Sequence, residues 1–252
     1  MANAKAKQNP STTKPRSFFK RLGVILGTLL LIFVTTCAIV ACYAAVYVHN
    51  VIMPEVEQSS AALLTSNTDL TSNLYYYDSE KDDYVAYQPL YASENRVWAD
   101  LKDMPDDLIH ATIAIEDKRF EKHNGVDFRG TVRAVLSTLT GRGVQGGSTI
   151  TQQLIKNVTG DNQSTVKRKV TEIYRALELE KRYSKDQILE SYLNRICLGQ
   201  SCYGVEAAAR TYFGKSASEL TLAQSASLIG ITNNPSQFGP FEGEWSREQN
   251  RE

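Results

Sequence analysis

Histidine occurs three times in 252 residues and cysteine four times, and His49, His110, His123 and the cysteines form neither a C-x-x-C pair nor a zinc-ligand spacing. A structural metal site is therefore not expected. Internal repeats and low-complexity segments are also missing. With 42% apolar and 22% charged residues, collagen-like, disordered and disulfide-scaffold classes are excluded. Acidic residues are absent from the first fifty positions, which hold Lys5, Lys7, Lys14, Arg16, Lys20 and Arg21. The rest of the chain carries 22 basic and 28 acidic residues, so the formal net charge of zero is the sum of two opposite regions.

Charge of either sign is missing from Leu22 to Val48, a run of 27 residues. A helix of that length is about 40 Å long, enough to cross a hydrocarbon core of roughly 30 Å with some tilt. The run is read as a single transmembrane span. Its basic flank lies wholly on the N-terminal side, which predicts a cytoplasmic N-terminus and an exported remainder after His49. A cleaved signal peptide usually has a shorter apolar core of about 7–15 residues, although Ile39-Val40-Ala41-Cys42 loosely resembles a lipoprotein cleavage box. Residues 49–72 read as a polar stalk or loosely helical connector. The aromatic and β-branched runs Leu74 to Tyr77 and Tyr84 to Tyr87, around a turn-rich acidic stretch, signal a hairpin. Four segments follow: a cytoplasmic tail over 1–21, the span over 22–48, linker and hairpin over 49–95, and a mostly helical domain over 96–252. In that domain Ser184-x-x-Gln187 and Thr221-x-x-Gln224 have the form of capping boxes, and Gly214 suits a helix end.

Four places in the exported part have a pattern suited to chemistry. A helix starting at Pro105 and reaching Glu116 puts that carboxylate in the arc of Leu108, Ile109, Thr112 and Ile113. Apolar surroundings raise a carboxyl group toward the range in which it exchanges protons near neutral pH, while a paired structural glutamate at a helix end fits the spacing equally well. Gly146-Gly147-Ser148-Thr149, followed by Ile150 to Asn157, is a flexible loop entering a helix, where backbone N–H groups bind anions and Lys156 adds a charge. The Gly-Lys-Ser/Thr ending of a P-loop is absent. Along Thr165 to Tyr183 the apolar stripe is Val166, Val170, Ile173 and Leu177. Glu172 falls opposite it, with Arg168 and Lys169 one turn earlier, as on a solvated face or a cation-rich site. Phe128, Val132, Val135, Leu136 and Leu139 share one face of a basic amphipathic segment that includes Arg129, Arg133 and Arg142. Such a face suits either the protein core or a lipid interface.

Taken together these segments resemble the peptidoglycan glycosyltransferase domain of family 51, found in class A penicillin-binding proteins and monofunctional cell-wall transglycosylases. Five blocks carry the resemblance in order: Glu116-Asp117-Lys118-Arg119-Phe120-Glu121-Lys122-His123-Asn124-Gly125; Gly147-Ser148-Thr149-Ile150-Thr151-Gln152-Gln153 through Lys156-Asn157; Arg168-Lys169-x-x-Glu172; Ile188 to Asn194 leading to Tyr203-Gly204-Val205 and Tyr212 to Lys215; and Leu220 to Ala223. The resemblance implies a mainly α, lysozyme-like fold with a small membrane-associated subdomain, preceded here by the transmembrane helix and the short β-hairpin. It implies polymerisation of lipid II into β-1,4 glycan with inversion and release of polyprenyl diphosphate, the growing glycan being the donor.

By the same resemblance Glu116 is the catalytic base and Glu172 a second essential glutamate. Asp117, Phe120, His123, Ser148, Thr149, Gln152, Gln153, Lys156, Asn157, Arg168 and Lys169 contact substrate or support those that do, His123 serving its own loop. A divalent ion near Glu172, Mg2+ or Mn2+, is an optional cofactor. The implied partners are lipid II, polyprenyl-diphosphate-linked glycan, the lipid bilayer and other cell-wall synthesis and division proteins, without nucleic acid. The implied place is the bacterial cell membrane. Ser164 and Gln224 depart from the residues common in the family, removing one cation and one acid. Cys197 and Cys202, five apart, require an oxidising compartment if they are to pair. The charged run Ser246 to Glu252 is what a piece ending before a transpeptidase domain would show. A lysozyme-like or lytic glycan-cleaving enzyme is the rival reading, and a membrane-tethered wall-binding module the non-catalytic one.

Overall fold

The computed structural model describes residues 16–60, 71–90, 94–141, 146–161, 163 and 165–240. The chain divides into two compact units, Met1–Val51 and Ile52–Glu252. The first contains helix α1, Arg16–Tyr47, and all but the last residue of a π-helical turn at Val48–Ile52. Its most apolar window has a mean hydropathy of 2.7 with no part buried. The hydroxyls of Thr28, Thr35 and Thr36 donate to carbonyls three or four residues back, so these polar groups are satisfied inside the helix, as hydrocarbon requires.

The second unit opens with α2, Met53–Ser60, where a stalk or loosely helical connector was expected. Pro54 falls in the first turn, where a missing N–H costs nothing. Ile52 and Val56 are fully buried, and α2 packs on α6; these apolar contacts hold the segment in the domain. Strands β1, Ser72–Asp78, and β2, Asp83–Leu90, form an antiparallel hairpin with Tyr77 opposite Tyr84. β3, Asn95–Arg96, pairs in parallel with β4, Cys202–Tyr203.

The remaining helices are α3 (Asp106–Glu116), α4 (Phe128–Leu139), α5 (Ile150–Thr159), α6 (Val166–Arg182), α7 (Lys185–Leu193), α8 (Val205–Phe213), α9 (Leu222–Gly230) and the single turn α10 (Pro235–Phe238). The domain is mainly α. Its core gathers Leu108 from α3, Ile150 and Leu154 from α5, Leu179 from α6, Tyr192 from α7 and Leu228 from α9, with Phe120 among them. α5 packs between α6 and α7, and α3 lies on α9. This brings the end of α3 to the start of α5. Capping boxes start α7 at Ser184 and α9 at Thr221, and Gly214 ends α8 in the left-handed region. Gln224 thus serves the cap, while Ser164 and the run Ser246 to Glu252 lie outside the described residues.

Gly204, at the start of α8, has φ +90°, and a Cβ there would come 2.8 Å from the Asn194 carbonyl oxygen. Gly204→Ala is expected to destabilise the domain by about 2 kcal/mol or more, from backbone strain plus the clash. Thermal unfolding checks this, and an unchanged melting temperature would refute it.

The two cysteines of this region are free. An isolated antiparallel backbone β-bridge sets Cys197 opposite Tyr203. Cys202, one residue earlier, faces the other side of the ribbon, where it is buried and its thiol lies 3.3 Å from the Thr211 hydroxyl. Burial raises that thiol's pKa, against a smaller lowering by the Thr211 contact.

Candidate active site

Glu116 is the last residue of α3, and its side chain leaves the helix end for a cleft rather than continuing the apolar arc of the helix. Its surroundings are polar, which corrects the expectation of an apolar pocket. Oε2 accepts from Gln153 Nε2 at 2.8 Å, and Oε1 accepts from the Thr232 hydroxyl. Two cavities meet at this residue. One, about 240 Å³, is lined by Lys118, Arg119, Arg133 and Gly147. The other, about 450 Å³, is lined by Gln153, Lys156, Asn157, Tyr192 and Thr232. Ile115, Glu116, Gly146 and Ser148 border both.

Several residues expected to touch substrate, or to support those that do, build the cleft. Asp117 is buried and accepts from His123 Nε2 at 2.8 Å and from the Ile150 N–H at 3.2 Å. A carboxylate thus already stands at the N-terminus of α5, where a bound anion was expected. Two further amides there are taken, since Thr149 and Gln152 close a reciprocal capping box, and the Thr149 hydroxyl donates to the Gly125 carbonyl. Thr149 and Gln152 are buried and cap the helix, Thr149 also lining the smaller cavity. Phe120 is fully buried in the core, with Lys185 Nζ over its ring at 4.4 Å. His123, in the loop between α3 and α4, pairs with Asp117 of the same loop.

Glu172 is not on a solvated face. It is 5% exposed, accepts from Arg168 Nη1 at 2.7 Å, and contacts Lys169 Nζ. The stripe read from sequence holds in part: Ile173 and Leu177 pack on the core, but Val166 is 82% exposed, and Thr171, Ala176 and Leu179 are buried on a helix that α2 and α5 both cover. Lys169 Nζ also donates to Ser148 Oγ at 3.1 Å, which brings this one cation to the rim shared by the cavities. Among the described residues no three His, Cys, Asp or Glu side chains gather as a metal site. Glu172 offers one carboxylate whose oxygens already face a guanidinium and an ammonium, so this donor set does not fit a divalent ion.

On α4, Phe128, Val132 and Leu136 are all more than half exposed, one helical row turned away from the core. The side chains of Val135 and Leu139, and Arg142, lie outside the described residues. Sequence reading missed Thr232, Tyr192 and Arg133 as cleft residues. Burial, and then the charge of Glu116, push the Tyr192 phenol well above its ordinary pKa. It therefore remains a donor, 3.3 Å from Gln153 Oε1.

A family model described as Transglycosylase matches residues 83–252. Penicillin-binding protein 2D of Bacillus subtilis is 39% identical over 227 residues, covering 89% of this chain and 31% of its own. Penicillin-binding protein 1A/1B of the same organism is 35% identical over 99% of this chain and 26% of its own. The crystal structure of penicillin-binding protein 1A from Haemophilus influenzae covers 73% of this chain and 17% of its own, at 24% identity and a TM-score of 0.33. The chain thus spans under a third of the length of these relatives.

Proposed function

The chain belongs to the transglycosylase family, and from that premise we propose that it is a peptidoglycan glycosyltransferase that polymerises lipid II into β-1,4 glycan. One observation carries the reading: Glu116 stands where two cavities join, the place a base must occupy to act between two bound sugars. An alcohol is a poor nucleophile, so the acceptor 4-hydroxyl needs a carboxylate within hydrogen-bond reach as it attacks the donor's anomeric carbon. Inversion follows because the leaving group departs from the opposite face. The leaving polyprenyl diphosphate develops negative charge, which Lys156 and the Lys169–Ser148 pair are placed to receive, with Arg168 behind them. Asn157 and Gln153 supply hydrogen bonds on the same wall, while Asp117, His123, Thr149 and Gln152 hold the cleft together.

We place the N-terminus in the cytoplasm, from its exclusively basic flank, and residues 52–252 outside. The exposed row on α4, with Arg129 and Arg133 beside it, is read as a surface that lies in the lipid interface near the polyprenyl chain. Replacing Phe128, Val132 and Leu136 together by serine, in a chain starting at Ile52, is expected to weaken vesicle binding about tenfold or more. Equal sedimentation with vesicles before and after the change would refute lipid contact. Incubation with lipid II tests the function itself. Polymer and released polyprenyl diphosphate support it, cleavage of preformed glycan would support the lytic reading, and binding without turnover a wall-binding module.

A further inference from the structure

The two oxygens of Glu116 have partners of different kinds. On one side Gln153 presents its NH2 group to Oε2, while its own oxygen faces the Tyr192 hydroxyl. That side can only donate. On the other side the Thr232 hydroxyl lies against Oε1 and also 2.7 Å from the Ile229 carbonyl oxygen. A hydroxyl has one hydrogen and also accepts, so it can donate to only one of these oxygens at a time.

We propose that Thr232 is a positioning residue that gives Glu116 a matched hydrogen bond in both of its protonation states. Toward the ionised carboxylate it donates. Once Glu116 has taken a proton, Thr232 turns its hydrogen to Ile229 and accepts from the new O–H. The inference rests on Glu116 being the base. As the acceptor oxygen bonds to the anomeric carbon its O–H bond breaks, and that proton passes to Glu116. The electron pair of the old sugar–phosphate bond leaves with the diphosphate. Because Gln153 offers only N–H to Oε2, the neutral acid's hydrogen settles on Oε1, facing Thr232. After the product has moved, the proton is released to water and the hydroxyl swings back to donate. Without this partner one of the two states is left with an unpaired oxygen or hydrogen, which slows proton uptake rather than substrate binding.

The test compares Thr232→Val and Thr232→Ser with the parent chain in lipid II polymerisation, together with melting temperatures. Valine keeps the shape and removes the hydroxyl, and serine keeps the hydroxyl. The expected result is a kcat about tenfold lower for valine, an unchanged KM and a serine variant close to the parent. Parent-like kcat in Thr232→Val, beside an inactive Glu116→Gln, would overturn the role of Thr232 alone. An active Glu116→Gln would overturn the base assignment as well. A valine loss that serine does not repair, or that appears in KM, would mean packing and would also overturn the proposal.

Discussion

Glu116→Gln is expected to leave a folded domain that binds lipid II and makes no measurable polymer. The fold survives because the amide fits the partners already present. Its oxygen accepts from Gln153 Nε2, and its NH2 donates to the Thr232 hydroxyl, which then turns its own hydrogen to Ile229. No buried group loses a partner, so the cost in stability is on the order of 1 kcal/mol or less. The chemistry does not survive, since an amide cannot take the acceptor's proton. A positioned base contributes roughly 10²–10⁴ in rate, and a loss of that size puts slow polymerisation below detection. Glycan chain formation from lipid II, read beside a binding measurement, checks both halves. Near-normal polymerisation would end the assignment of Glu116. Lost binding with normal melting would mean that its charge serves the substrate ground state.

Much of the architecture could be read along the chain because it rests on local rules. The tyrosine runs pair as β1 and β2, the Ser184 and Thr221 boxes start α7 and α9, and Gly214 ends α8. What escaped depends on what lies against a face. Periodicity showed that Phe128, Val132 and Leu136 share a side of α4, but not that this side is uncovered. It set Glu172 opposite an apolar stripe, yet α2 and α5 both pack on α6 and bury it. The loop at Ser148 looked like an anion site until Asp117 was found at the Ile150 amide, 33 residues away. Thr232 is 116 residues from Glu116, and a threonine after Gly230-Ile231 has no local signal of a partner. Block order gave the carboxylates and cations; tertiary contacts decided which residues face the cleft and which hold it in place.

The second large effect is expected at Glu172, through the cations it holds. Its side chain is 6% exposed, against 20% for Arg168 and 40% for Lys169. Breaking a fully buried ion pair costs roughly 3–5 kcal/mol, because a charge is left without a partner. Here Lys169 can turn to water while Arg168 is more confined, so Glu172→Ala should cost less, about 2–3 kcal/mol. Glu172→Gln, which keeps the volume and one acceptor, should cost less again. Activity is expected to fall far more than stability in both. Without the carboxylate, Lys169 loses the contact that sets it beside Ser148 Oγ, and the cation leaves the rim where the diphosphate departs. Lys169→Met separates the two effects. It leaves the Arg168–Glu172 bond in place, so melting should stay near that of the parent while the rate falls by at least about tenfold, the loss of one charge-assisted contact. If Lys169→Met polymerises at the parent rate while Glu172→Gln does not, Glu172 acts on the substrate directly and the cation-holding role is wrong. If both are slow and only Glu172→Ala melts early, the carboxylate's work is to keep Lys169 facing the cleft.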